Sequence, residues 1–411
     1  MKRFFGILLF TTLWHTSPAQ TFTLDHYLEV AQTNSPLLKD LKNQASSALL
    51  DSLRLKAGYK FLVNGNGGGL FAPVIHGYGY AGSVTNYQTL DALVSVSRQL
   101  IGKSYLNAQL YAISIQRDSL INAAQVSVQD LKKTITGQYI TAYGSLQQVN
   151  FSQEVVDLLS KEENLLLKLT RANVYKQSDY LAFLVTLKQQ QLQLLQARLQ
   201  YKNDYTTLNY LAGIADTAMI TLAEPGVQRA IAPDVAASIF FKKFKLDSIR
   251  LINSRSILDY SYRPKANIFA DAGYNTDLSN QLYKNFGTSA GFSITVPIYD
   301  GGQRKLQYKK LGLEEETRVA YKTFFSKQYQ QQIAQLNQQI RENENLIAQI
   351  NDQMKYTESL IKVDTKLLET GDLRISDLIL AINNYLTIKN LLTQTTISRL
   401  QLINQLNYWN K

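Results

Sequence analysis

Residues 286–304 read Phe-Gly-Thr-Ser-Ala-Gly-Phe-Ser-Ile-Thr-Val-Pro-Ile-Tyr-Asp-Gly-Gly-Gln-Arg. Phe286, Thr288, Ala290, Phe292, Ile294 and Val296 alternate with Gly287, Ser289, Gly291, Ser293 and Thr295, giving one mostly apolar face and one small polar face. Strict period two over 11 residues predicts a strand. That length and pattern fit a strand crossing a bilayer, with its apolar side to lipid and its polar side to a lumen. Pro297 is tolerated where the ladder ends. Gly301 and Gly302 then permit a sharp turn into a helix without a Cβ clash.

Partner strands are expected at 264–276 in the same half of the chain, and at 59–71 and 88–99 in the other. Four strands cannot close a barrel, and an open sheet edge is not tolerated in lipid, so the barrel must be shared between chains. Two chains would give eight strands and an interior filled by side chains; three would give twelve and leave a lumen. The soluble alternative is a β-hairpin packed on a coiled coil.

Proline marks out the helices. Its only positions are 18, 36, 73, 225, 233, 264 and 297, so 74–224 and 298–411 lack the strongest helix breaker. Within them, 103–170 and 303–370 are rich in Leu, Gln, Lys, Glu and Ala, with only Gly137, Gly144 and Gly312 as weak points. Each predicts one helix about 100 Å long at 1.5 Å per residue. Shorter helices over 24–56 and 176–212 would stack end to end beside the first, and 234–260 with 374–409 beside the second. The chain also repeats itself: Ser178-Asp179 recurs as Ser376-Asp377, and Leu208-Asn209-Tyr210 as Leu406-Asn407-Tyr408, both at an offset of 198 residues. Strand residues Leu90, Ala92, Val94 and Val96 fall on Thr288, Ala290, Phe292 and Ile294 at the same offset. A duplicated helix-strand-strand-helix unit is implied, with repeats at 20–213 and 234–411 joined by a linker at 214–233.

Residues 1–19 have the form of a secretory signal: Lys2-Arg3, an apolar run from Phe4 to Trp14, and small residues at Ser17-Pro18-Ala19. The run is too short to be a spanning anchor. Absence of cysteine excludes disulfides, thiolate metal sites, a cysteine nucleophile and an N-terminal cysteine lipid. The net charge of +11, lowered by two once Lys2 and Arg3 leave, suits anionic lipid headgroups or an anionic cargo in an exported protein. A nucleic-acid partner conflicts with export. Gly102-Lys103-Ser104 mimics the end of a phosphate-binding loop, but Ser97 stands where its first glycine belongs. The glycine cluster at 64–69 predicts a bend in a strand rather than a phosphate cradle. His26 and His76 make neither a zinc site nor a triad. No catalytic, cofactor or metal residues are expected. The 25 tyrosines are expected at membrane interfaces, with Tyr78, Tyr80 and Tyr283 as candidates.

The run from Val296 to Arg304 resembles the strand-to-helix junction of TolC-type outer-membrane factors: apolar-Pro-apolar-aromatic-Asp-Gly-Gly, here Pro297, Asp300, Gly301 and Gly302, followed by a basic residue. Residues 369–381, Glu-Thr-Gly-Asp-Leu-Arg-Ile-Ser-Asp-Leu-Ile-Leu-Ala, look like the turn between long and short helices in that family's second repeat, with Gly371 at the tip. Ala31-Gln-Thr-Asn-Ser-Pro36 is similar to its opening helix. The first repeat departs from the pattern, having Gln99-Leu-Ile-Gly-Lys103 at its junction. The resemblance implies a mostly α chain with a membrane β-barrel: a homotrimer whose long helices form an α-barrel in the periplasm and whose four strands per chain build a 12-stranded barrel in the outer membrane. It implies a passive exit duct for efflux or type I secretion, driven through an adaptor by an inner-membrane pump. It places Asp377 in an acidic ring at a periplasmic gate, with Asp179 as its counterpart in the first repeat and Arg374 as a basic neighbour. Leu380 stands where the family often has a second acid. Both aspartates have an ordinary alternative role as helix caps. A soluble periplasmic coiled-coil adaptor is the competing reading of the whole chain.

Overall fold

A computed structural model describes residues 22–81, 88–215, 218–230, 238–278 and 282–411. The expected signal, 1–19, lies outside them, as do 216, 217 and 231–233 of the expected linker. In chain order the described elements are α1 (Leu24–Asn34), α2 (Pro36–Gly58), β1 (Leu62–Phe71), β2 (Gln88–Leu100), α3 (Lys103–Arg171), α4 (Gln177–Ala212), α5 (Ile239–Ser261), β3 (Lys265–Thr276), β4 (Phe286–Thr295), α6 (Gln303–Thr370) and α7 (Ile375–Trp409). Both long helices and all four strands stand where the sequence placed them. The leading helix does not: 24–56 is two helices. Ser35 is extended, with φ −68° and ψ 112°, because the ring of Pro36 disfavours helical backbone in the residue before it. Pro36 itself then opens α2, where its missing N–H costs nothing.

The chain forms two compact units. One contains residues 36–127 and, after the linker, the described residues up to 328, and it holds the sheet. The strand order is β1-β2-β3-β4, antiparallel throughout. Residues 64–69 run straight through β1 rather than bending: Gly65 faces Val94 and Gly67 faces Ala92 in an unbroken ladder. Pairing with a valine-rich neighbour thus overrides the conformational freedom of glycine. Register sorts the faces. Val63, Val96, Ala270 and Ala290 form one cross-strand row, and Asn64, Ser95, Asp271 and Ser289 the next. Hydrogen bonds tie the polar face together, from Asn66 Nδ2 to Ser95 Oγ at 2.9 Å and from Ser289 Oγ to Asp271 Oδ2 at 3.3 Å. The apolar face stays open, with Val63, Phe292 and Ile294 all more than 60% exposed. Below the sheet, Asn253 Nδ2 of α5 donates to Ala108 O of α3 at 2.9 Å, and Arg318 Nη1 of α6 donates to Phe244 O of α5 at 3.2 Å.

The other unit holds residues 22–35, 128–230 and 329–411 and carries most of the core. Tyr27, Tyr139, Tyr201 and Tyr205 are buried together, so these tyrosines are core anchors rather than interfacial ones. Tyr139 OH reaches Phe22 O at 3.0 Å and Ala223 O at 2.7 Å, and Tyr201 OH donates to Ile220 O at 2.8 Å, tying the linker to α3 and α4. Burial pushes the Tyr139 and Tyr201 phenols up to about 12. α3 joins both α4 and α7, α7 joins α6, and α4 also lies directly against α7. Gln138 Nε2 of α3 donates to Asp204 O of α4, Gln401 Nε2 of α7 donates to Gly137 O of α3, and Arg399 of α7 pairs with Glu344 of α6. The outer helices keep unpartnered stripes. On α4, Leu181, Val185, Leu192, Leu195 and Leu199 are more than half exposed at coiled-coil spacing. On α6, Tyr356, Leu360, Val363 and Leu367 repeat every three or four residues and are also exposed.

Gly144 marks the closest helix approach: a Cβ there would lie 2.9 Å from Cγ1 of Ile397 on α7. Alanine at 144 would gain about 1 kcal/mol of helix propensity but overpack the contact by about 1–3 kcal/mol. We expect Gly144→Ala to be neutral or destabilising alone and stabilising together with Ile397→Val. A double-mutant cycle of denaturation free energies measures this.

Candidate functional site

The two inter-helix turns of the core-bearing unit are built alike by different residues. Leaving α6, Gly371 adopts φ +80°, its N–H donates to Leu368 O at 3.2 Å, and Asp372 N donates to Leu367 O at 3.1 Å. This is a glycine C-cap that satisfies the free carbonyls of the helix end. Leaving α3, Asn173 adopts φ +59° and Val174 N donates to Leu169 O at 2.9 Å. Asparagine is the residue other than glycine that best tolerates this conformation, and 173 lies 198 residues before 371. The two turns touch, since a Cβ on Gly371 would sit 2.8 Å from Cγ1 of Val174. Beneath them Phe183, Leu187, Leu368, Leu373, Ile375 and Leu378 form one buried cluster.

Asp179 and Asp377 occupy the first turns of α4 and α7. Neither is a cap. The N-cap residues are Lys176 and Arg374, with no side-chain cap bond at either helix, and each aspartate N–H donates back to the cap carbonyl, at 3.1 and 2.9 Å. The aspartates still suit the positive end of the helix dipole. Asp377 is exposed and accepts from Ser376 Oγ at 3.2 Å; Arg374 is exposed and forms no ion pair among the described residues.

Two carboxylates that sequence reasoning passed over lie behind this turn. Asp364 on α6 is buried, and desolvation, reinforced by the charge of Asp377, raises its pKa. Glu162 on α3 is buried too, and desolvation raises its pKa; Lys161 lowers it in part, and the charge of Glu369 raises it again. Beside them Tyr180 OH donates to Glu163 Oε1 at 2.6 Å, fastening the start of α4 to the end of α3.

The strand-to-helix junction belongs to the sheet-bearing unit, and Asp300 organises it. Oδ1 accepts from Gly302 N at 2.9 Å, while Oδ2 accepts from Arg304 N at 2.7 Å and from Tyr262 OH at 2.5 Å. Those donors, Tyr262 first, hold its carboxyl below the usual range. Gly301 and Gly302 take φ +69° and +85°, the left-handed turn that brings the Gly302 and Arg304 N–H groups round to Asp300. Val296, Pro297 and Ile298 leave the ladder exposed just past the end of β4. The motif is therefore a cap for a 68-residue helix as well as a turn. Among the described residues no group of three His, Cys, Asp or Glu is placed to hold a metal.

The pKa of a buried carboxyl is raised because the fold disfavours its charged form. Its cost is absent below the ordinary carboxylate pKa and grows as pH rises through the folded value. We expect Asp364→Asn to raise the melting temperature at pH 7 and to leave it unchanged near pH 3.5. Glu162→Gln should follow the same pattern in thermal melts of the detergent-solubilised protein.

No family model matches the sequence, and no curated protein matches it in sequence. Solved structures match its fold. The outer membrane protein VceC of Vibrio cholerae superposes with a TM-score of 0.75 at 14% identity, over 94% of this chain and 96% of that one. The open state of the Neisseria gonorrhoeae MtrE outer membrane channel gives 0.75 at 11% identity, over 94% and 88%. The Campylobacter jejuni CmeC outer membrane channel gives 0.73 at 10% identity, over 94% and 85%. The fold of this chain is the fold of those outer-membrane channels.

Proposed function

We propose that the chain is one protomer of a homotrimeric outer-membrane channel, an exit duct for tripartite efflux or type I secretion that moves cargo passively while an inner-membrane pump, coupled through a periplasmic adaptor, supplies the energy. The observation that carries this reading is the sheet. It has four strands, an uncovered apolar face, a hydrogen-bonded polar face, and free edges at β1 and β4 with no strand partner among the described residues. In hydrocarbon such edges must be paired, and three copies pairing β1 with β4 close a barrel of twelve strands with a lumen. The exposed stripes on α4 and α6 support assembly with further copies, since each can supply one side of a coiled-coil seam to the next protomer. The solved channels with this fold support it further. The two halves act as duplicated repeats, 20–213 and 234–411. Catalysis has no part in the function, and a soluble adaptor would not leave a transmembrane-length apolar sheet face in water.

The mouth of the duct lies at the helix turns. Asp377, exposed at the start of α7, is the ring carboxylate, with Arg374 and Asp179 flanking it and Gly371 setting the turn. Three such carboxylates repel one another unless cations offset the charge, so the ring attracts multivalent ions.

Cross-linking and mass measurement of detergent extracts should give three chains; a stable water-soluble monomer overturns the reading. Arginine at 292, on the apolar face, should impair insertion by about 2–4 kcal/mol near the midplane, whereas arginine at 293 should assemble and alter conductance. Asp377→Asn should weaken block by a trivalent cation added from the periplasmic side in planar bilayers. Asp179→Asn should weaken that block less than Asp377→Asn does, because Asp179 flanks the ring rather than forming it.

A further inference from the structure

The two ends of the sheet differ in charge. Around the helix-side end, residues 56–61, 98–105, 259–265 and 296–310 contain ten Lys and Arg against two acids. Around the loop end, the described residues 72–81, 274–278 and 282–286 contain one of each, Lys284 and Asp277. The helix-side acids are already committed. Asp300 is taken by Tyr262 and the α6 backbone, and Asp259 by Arg304 and Tyr308. Lys56, Lys60, Lys103 and Lys305 are exposed and have no ion-pair partner among the described residues. A rim in which cations so outnumber acids, and whose acids are held by other partners, invites an anionic partner from outside the chain.

Position identifies that partner. Arg98 shares the apolar face with Val94 and Val96, at the last turns of the β2 ladder, and its guanidinium lies 5.1 Å from the ring centre of Phe61. An arginine on a lipid-facing row is tolerable only where the hydrocarbon ends and headgroups begin. Arg263 stacks on Tyr260 at 4.5 Å at the same level, and Ile298 and Tyr299 beside them are 94% and 88% exposed. Aromatic rings interleaved with cations mark a membrane-water interface, and basic clusters there attract anionic headgroups. Resting on the channel reading above, we infer that this rim is a binding belt for anionic phospholipids of the periplasm-facing leaflet, whose phosphates pair with Lys56, Lys60, Arg98, Lys103 and Lys305. Arg304 is excluded, because it is engaged by Asp259.

The test is native mass spectrometry of the delipidated trimer offered equimolar phosphatidylglycerol and phosphatidylethanolamine. Wild type should retain phosphatidylglycerol roughly tenfold or more over phosphatidylethanolamine, the effect expected of several surface cations acting together. Combined Lys56→Gln, Lys60→Gln, Lys103→Gln and Lys305→Gln should bring the ratio close to one. If that variant does not assemble, Arg98→Gln alone, which disturbs no hydrogen-bonded partner, should still lower it. Equal retention of both lipids by wild type, or an unchanged ratio in the variants, overturns the belt. Conductance in bilayers of phosphatidylethanolamine alone separates the two claims: a conducting trimer without lipid preference sinks the belt only, while absence of any trimer sinks the channel reading beneath it.

Discussion

The outward-facing N–H and C=O groups of β1 and β4 are the constraint on which the rest of the molecule turns. In water a free strand edge is a liability; in hydrocarbon each unpaired group costs several kcal/mol, and no side chain at these positions repairs it. A four-stranded sheet is thus an unfinished object by its own hydrogen-bond count. The helical unit poses the same demand in a different currency, through apolar stripes on α4 and α6 rather than backbone groups. Two independent kinds of incompleteness, one polar and one apolar, would both be relieved by neighbouring copies of the same chain, as the proposed channel requires.

Within the helical unit, stability is unevenly spread. Near the linker, four buried tyrosines and their bonds to backbone carbonyls make a tight knot. At the turns, two buried carboxylates oppose the packing around them. There the desolvated charge works against an apolar cluster as extensive as the one around the tyrosines.

Much of this was legible in the chain because its signals are long and regular. Period two over β4, the proline-free windows and the Asp-Gly-Gly junction each fix an element by local stereochemistry. The losses occurred where local rules compete with distant ones. At Ser35-Pro36 the helix breaks although apolar spacing continues on both sides, so the periodicity alone hides the break. The glycines of β1 suggested a bend, and only the partner strand reveals a straight ladder. Asn173 was invisible as a turn residue because it shares chemistry, not identity, with Gly371. Asp364 and Glu162 were missed because every position of a 68- or 69-residue helix looks exposed until the neighbours that bury it are known.

The middle of the sheet has a consequence for the order of events in folding. The β2–β3 ladder joins Leu90 to Thr276 and Leu100 to Ala266, residues from opposite halves of the chain. Each half can form only a two-stranded hairpin alone, a unit marginal at best in water. The central ladder must therefore wait until residue 276 of 411, about two thirds of the polypeptide, has emerged, and closing so long a loop makes it a slow, high-contact-order step. Until then β2, even when paired with β1, presents one unprotected edge, which leaves the unassembled sheet exposed to aggregation.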